Sequence, residues 1–215
     1  MKKSMVNFLA GGIYAILSEE HSQGRSNLDV AREVLNAGVR VVQYREKDKK
    51  AGAMFDECLA LREMTRKAGA TFIVNDHIDL ALLVDADGVH VGQEDLPPAA
   101  VRKLIGKDRI IGLSTHGPGQ ARAAQTAGVV DYIGVGPIFS TKTKKDVCDP
   151  VGLEYLDYVV EHIPMPFVAI GGLKEHNLAQ VASRGARMAC LVTEIVGAGD
   201  IGAKVAQLTA IMRGE

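Results

Sequence analysis

Val39-Arg40-Val41-Val42-Gln43-Tyr44-Arg45-Glu46-Lys47 passes without a break from an apolar, β-branched run into an amide and charged groups. The run Val39–Tyr44 has the length and composition of a strand buried on both faces, as in a parallel sheet covered by helices. Gln43, Arg45 and Lys47 alternate along it, so they share one side for as long as strand geometry persists. Seven further runs of this kind occur at Ile13–Leu17, Thr71–Val74, Gly88–Val91, Ile110–Leu113, Tyr132–Val135, Phe167–Ile170 and Met188–Val192. Between them lie amphipathic stretches: Leu28, Ala31 and Leu35 fall on one helical face, as do Met54, Cys58 and Leu61. Eight strand–helix repeats of roughly 27 residues predict an α/β fold, the (β/α)₈ TIM barrel, rather than an open sheet. One barrel domain over residues 1–215 is expected.

Helix ends support this division. Asn27 is placed to cap the first helix, and Gly38, Gly69, Gly128 and Gly185 stand just beyond others, where a left-handed conformation is easiest. Met1 to about Ala10 stand outside the eight repeats. The segment Pro137–Pro150 after the sixth strand is longer and more polar than the other connections, rich in lysine and threonine, and reads as a functional loop.

Lys+Arg 25 against Asp+Glu 26 leaves no global field to favour nucleic acid or a membrane surface, so any anion site must be local. No apolar run approaches the roughly 18 residues of a membrane span. Cys58, Cys148 and Cys190 are odd in number and lack metal-ligand spacing, which points to a reducing compartment, the cytoplasm.

In a TIM barrel the C-terminal ends of the strands surround one mouth, so the polar groups that follow each apolar run are collected there. The second strand brings Gln43, Arg45 and Lys47, which favour an oxyanion, although Arg45 to Lys50 also reads as a solvated turn. The third and fourth run into Asn75-Asp76 and Gly92-Gln93-Glu94-Asp95. Two aspartates of this kind suit Mg²⁺, which takes one or two carboxylates, waters and substrate phosphate oxygens. Each also has a structural reading, Asp76 as a helix N-cap and Asp95 as a turn carboxylate before Pro97-Pro98. The fifth strand is followed by Ser114-Thr115-His116, whose imidazole either transfers a proton or fixes a neighbouring hydroxyl. His90, between Val89 and Val91, reads as a hydrogen-bonded barrel residue rather than a ligand. Thr141-Lys142-Thr143-Lys144-Lys145 supply hydroxyls and cations able to close over an anion, or form a solvated charge run. Gly171-Gly172 after the seventh strand and Val192-Thr193 at the end of the eighth stand where barrels often bind phosphate through backbone N–H groups.

The strings Gln43-Tyr44-Arg45-Glu46-Lys47, Val74-Asn75-Asp76, Ala86-Asp87-Gly88-Val89-His90-Val91-Gly92-Gln93-Glu94-Asp95, Gly134-Val135-Gly136-Pro137-Ile138-Phe139, Thr141 to Lys145 and Ile170-Gly171-Gly172 together resemble the thiamine phosphate synthase family over essentially the whole chain. The resemblance implies a transferase. It would move a hydroxymethylpyrimidine group from its diphosphate to a thiazole phosphate and release pyrophosphate by a Mg²⁺-dependent, dissociative route. It further implies that Gln43, Arg45, Lys47 and Asn75 hold the diphosphate, that Asp76 and Asp95 ligate Mg²⁺, and that Ser114 and Lys144 contact the leaving pyrophosphate. Arg45, Lys47, Ser114 and Lys144 are thereby the catalytic candidates. Thr141, Thr143, Gly172, Thr193 and Ile195 fall to the thiazole phosphate side. Glu194 departs from the family pattern, because a carboxylate beside a phosphate is unfavourable unless it points away or is neutralised. Two other readings stand beside this one. A thiazole tautomerase would use His116 for proton transfer, and a non-catalytic barrel would only bind phosphate.

Overall fold

The computed structural model describes residues 5–143 and 148–215. Eight parallel strands close into a barrel in sequential order: β1 (Gly12–Leu17), β2 (Val41–Tyr44), β3 (Thr71–Asn75), β4 (Gly88–Val91), β5 (Ile110–Thr115), β6 (Tyr132–Val135), β7 (Phe167–Ile170) and β8 (Met188–Leu191), with β1 pairing both β2 and β8. The TIM barrel expected from the apolar runs is the fold observed, and the strand ends shift by no more than two residues.

Alternation along the strands divides the apolar residues into two cores. Tyr14, Val41, Ile73, Ile110, Tyr132 and Met188 fill the barrel interior. Their neighbours in sequence, such as Val42, Phe72, Ile111 and Ala189, face outward and pack beneath the helical layer. The same phase carried to the C-terminal ends of the strands sends Gln43, Asn75, His90 and Ser114 inward.

The first residues acquire a role that their composition did not disclose. Helix α1 (Val6–Ala10) lies across the N-terminal end of the barrel, and its buried Phe8 packs on Tyr14 and Tyr132 at ring-centroid distances of 5.9 and 4.4 Å. The chain turns from α1 into β1 through Gly11, at φ +78°, where a Cβ would lie 2.5 Å from the Arg187 carbonyl oxygen. An aromatic plug here removes apolar surface that an open barrel end would leave to water.

The helical layer follows the expected periodicity. In α2 (Asn27–Asn36) Ala31 and Leu35 are buried and Leu28 packs against them, while in α3 (Ala51–Ala68) Met54, Cys58 and Leu61 are buried. Burial in this apolar layer pushes the Cys58 thiol up to about 12. Gly69 and Gly128 are left-handed C-caps, and Gly38 and Gly185 also have positive φ. The capping expectation for Asn27 is corrected: Ser26 is the N-cap, its hydroxyl accepting from the Asp29 amide. Asn27 sits one position later and sends its amide into the barrel rim, to Glu46 at 2.8 Å and Glu57 at 3.2 Å.

Two aspartates stitch neighbouring strands together below the mouth. Asp87, just before β4, accepts from the Phe72 amide at 2.8 Å and from both terminal nitrogens of Arg62 at 2.8 and 3.2 Å. Asp131, just before β6, does the same with the Ile111 amide at 2.8 Å and Arg102 at 2.6 Å. Asp87→Ala strips acceptors from a part-buried amide and guanidinium together, and is expected to cost about 2–3 kcal/mol. Urea unfolding measures this, and a loss below about 0.5 kcal/mol would mean that water replaces the carboxylate fully.

Candidate active site

The β2 loop shows how one charged string is divided between scaffold and site. Glu46 Oε1 accepts from the Glu19 amide and from Asn27, each at 2.8 Å. Lys49 bridges Glu19, at 2.8 Å, and Glu57, which also accepts from Tyr44 at 2.7 Å. Burial would raise the Glu57 pKa, but Lys49, Tyr44 and Asn27 outweigh it and hold the carboxyl below the usual glutamate range. Glu46 and Lys49 are therefore spent on the rim. Arg45, whose amide donates to Leu17 at 3.1 Å, and Lys47 remain from this string for the mouth.

Lys47 reaches β3 and pairs with Asp76. Asp76 adopts φ +59°, and its amide donates to the His90 carbonyl at 2.9 Å. The capping alternative does not hold: His77 is the N-cap of α4 (Ile78–Leu83), with no side-chain cap bond, and the Asp76 carboxylate turns to Lys47 instead. The Asp76 pKa is raised, first by burial and then by the charge and contact of Asp95, against the opposing pull of Lys47. Asp95 serves its turn as well, since Oδ2 accepts from the Gly92 amide at 2.6 Å. The structural and ligand readings of Asp95 are thus compatible.

A carboxyl whose proton affinity is raised by burial and by a second carboxylate beside it marks a place where a divalent cation lowers the energy. Among the described residues there is no cluster of three or more His, Cys, Asp or Glu able to cage a metal. A carboxylate pair beside Lys47 at the barrel mouth fits the habit of Mg²⁺, which takes one or two carboxylates and completes its octahedron with water and other oxygens.

Ser114 lies within β5 rather than after it, and its phase turns Oγ inward, 3.0 Å from His90 Nε2. Gln93 from the β4 loop donates to the Ser114 carbonyl at 2.7 Å. Thr115 has the opposite phase: buried outside the barrel, it donates to Gly134 at 2.8 Å and accepts from Tyr155 at 2.7 Å, so it is structural. His116 Nδ1 is fixed by the Gly136 carbonyl at 2.5 Å, and its amide donates to Gln120. His90 is the hydrogen-bonded barrel residue expected, with Nδ1 2.8 Å from the Tyr132 hydroxyl.

The root of the sixth loop is laid against the end of β7. Ile138 and Phe139 donate their amides to Ile170 and Gly171 at 2.9 and 3.0 Å. A Cβ on Gly172, at φ +64°, would lie 2.5 Å from the Ser140 carbonyl oxygen. The Gly-Gly pair thus makes room for the loop as well as for any ligand. Thr141 and Thr143 bond to one another, and the Thr143 carbonyl lies 3.3 Å from His21 Nε2. Lys144 lies outside the described residues.

After β8 the chain enters a short helix, Thr193–Val196. Ile195 is fully buried and its amide donates to Val192 at 2.9 Å. Lys174, which the sequence reading passed over, bonds Thr193 Oγ1 at 2.9 Å and Glu194 at 3.0 Å. Its place two residues after Gly172, at the start of a helix, was the available signal. The awkward Glu194 is therefore neutralised. Burial would raise its pKa, but Lys174, the Glu175 amide and Lys204 lower it below the ordinary value of 4.5. A carboxyl lowered in the folded state stabilises fully above its unfolded pKa, and that contribution is lost as pH falls through the folded value. Glu194→Gln is expected to flatten the dependence of Tm on pH between about pH 5 and pH 3. Unchanged curvature there would show that the pair contributes nothing.

The family model described as thiamine monophosphate synthase matches residues 13–195. The chain is 64% identical over 211 residues to the thiamine-phosphate synthase of Pelotomaculum thermopropionicum, covering 98% of this chain and 96% of that one. It is 52% identical over 200 residues to the enzyme of the same name from Lawsonia intracellularis, covering 93% and 92%. The solved thiamine phosphate pyrophosphorylase of Pyrococcus furiosus superposes with a TM-score of 0.87 at 31% identity, covering 96% of this chain and 98% of that one. With the closed barrel and the whole-length similarity in agreement, the chain belongs to the thiamine monophosphate synthase family of transferases.

Proposed function

We propose that this chain joins a hydroxymethylpyrimidine diphosphate to a thiazole phosphate, forming thiamine phosphate and pyrophosphate. The observation that carries the reading is the Lys47–Asp76–Asp95 cluster, at the end of a closed barrel where β2 leads into Arg45 and β5 carries Ser114. The tautomerase and binding-only alternatives have no evident need of such a cluster.

In this reading Gln43, Arg45, Lys47 and Asn75 bind the diphosphate. Asp76 and Asp95 hold Mg²⁺, which when bound neutralises charge on the phosphate oxygens. The bond from the pyrimidine methylene carbon to the diphosphate oxygen breaks, and pyrophosphate leaves with the electron pair. The thiazole ring nitrogen then supplies the pair for the new C–N bond. That nitrogen carries no proton to remove, so stabilising the leaving group dominates over base catalysis. Arg45 and Lys47 supply fixed positive charge for this, with Lys144 completing the set, and Ser114 offers a hydroxyl. Thr141, Thr143, Gly172, Thr193 and Ile195 serve the thiazole phosphate. The chain works in the cytoplasm.

Incubation with both substrates and Mg²⁺, followed by assay of thiamine phosphate and pyrophosphate, tests the reading. Interconversion of thiazole tautomers without pyrophosphate release would move the chemistry to His116 and overturn the transfer. Tight binding of both substrates with no turnover would support the phosphate-binding barrel instead.

A further inference from the structure

We propose that Tyr14, Tyr132 and His90 form a positioning chain inside the barrel that fixes Gln43 and Ser114 from behind and leaves the Ser114 hydroxyl as a hydrogen-bond donor to the mouth. The functional consequence rests on the reading that the diphosphate occupies that mouth.

The contacts are continuous from one wall of the barrel to the other. Gln43 Nε2 donates to the Tyr14 hydroxyl at 2.6 Å, and the Tyr14 and Tyr132 hydroxyls are 3.0 Å apart. Tyr132 lies 2.8 Å from His90 Nδ1, and His90 Nε2 lies 3.0 Å from Ser114 Oγ. With the Gln43 amide donating at one end, the assignment that also uses the proton of the buried Tyr14 hydroxyl within the chain runs one way. Tyr14 accepts from Gln43 and donates to Tyr132, Tyr132 donates to Nδ1, and the imidazole proton is left on Nε2, pointing at Ser114. A hydroxyl that accepts from behind keeps its own proton for an oxygen in front. The same polarity leaves Gln43 Oε1 available at the other wall.

The barrel is cut to fit this chain. A Cβ on Gly112 would collide with the Tyr132 ring and lie 2.5 Å from His90 Nδ1, so glycine there admits the Tyr132–His90 contact. Burial pushes both phenols well above the ordinary tyrosine range, which keeps them protonated and suits a fixed neutral chain rather than a proton wire. Five strands contribute one link each, so the two site residues are oriented by the closed barrel as a whole.

Tyr132→Phe keeps the ring against Phe8 and deletes the central oxygen. We expect kcat to fall about 10–100-fold through lost orientation of Ser114, with KM for the pyrimidine diphosphate changing less than about threefold. Placed on Ser114→Ala, the same substitution should add less than about twofold, because it acts through that hydroxyl. Tyr14→Phe, which cuts the chain next to Gln43, replaces it if Tyr132→Phe does not fold, and is expected to lower kcat about 10-fold or more while also raising KM for the pyrimidine diphosphate severalfold through Gln43. Independently of activity, ¹⁵N NMR of the unliganded protein at neutral pH should find His90 protonated on Nε2 and bare on Nδ1. Protonation at Nδ1, or multiplicative losses in the double variant, would overturn the proposal. A wild-type protein that makes no thiamine phosphate would sink the synthase reading, while the tautomer measurement would still decide the polarity of the chain.

Discussion

Asp95→Asn lowers kcat for thiamine phosphate formation by about 10²–10³-fold while leaving the fold intact, the scale seen when one preorganised charge-stabilising group is lost. Asparagine retains an oxygen to accept from the Gly92 amide, so the turn that Asp95 closes is kept. What disappears is the second negative charge beside Asp76. The Asp76 pKa is raised first by burial and then by Asp95. A carboxyl raised in the folded state costs stability once it ionises, so the native protein is penalised as pH climbs through the folded pKa, and the penalty vanishes below the unfolded value. Removing Asp95 relieves part of it. Tm at neutral pH should stay within about 4 °C of the wild type or rise. Steady-state assay of pyrophosphate release together with thermal unfolding checks both halves. Full activity would remove Asp95 from the site, whereas a collapse of Tm would make it a structural residue.

Gly172→Ala is expected to damage the other half of the mouth. Alanine at φ +64° takes a left-handed backbone costing roughly 1–2 kcal/mol. Its Cβ also meets the Phe139 and Ser140 carbonyl oxygens at 2.6 and 2.5 Å, and these belong to backbone that is tied to β7 through the Ile138 and Phe139 amides. Relief requires the root of the sixth loop to move, a cost of about 1–3 kcal/mol. Together these lower Tm by about 5–15 °C. Because the displaced loop carries Thr141 and Thr143, KM for the thiazole phosphate should rise about tenfold or more, and KM for the pyrimidine diphosphate much less. An unchanged Tm would show that the loop yields freely. Equal effects on the two KM values would dissolve the division of the mouth into two halves.

The two variants probe different kinds of information. Asp76 and Asp95 were visible as carboxylates following apolar runs, but each had an ordinary explanation as a cap or a turn. For Asp76 the structure removes that explanation, since His77 takes the cap position and the side chain pairs with Lys47. For Asp95 it shows that a turn residue also faces a second carboxylate. Gly171-Gly172 was read as a close approach to phosphate, and the structure adds that Gly172 also makes room for carbonyls of the preceding loop. Lys174 went unremarked because a lysine at a helix start has no local signature. Its meaning appears only when Thr193 and Glu194 arrive from the next strand.

The amino-acid sequence by itself determined the eight strands and their order, and marked the polar groups at their C-terminal ends as candidates for one mouth. Those follow from periodicity and residue chemistry, which are local properties of the chain. Only the tertiary structure decided which of Glu46, Lys47 and Lys49 belongs to the rim and which to the mouth, and that Tyr14 meets Tyr132 across 118 positions of sequence. The reason is barrel closure. Each of these choices depends on a partner brought from another strand, and no spacing along one strand records the distance across the barrel.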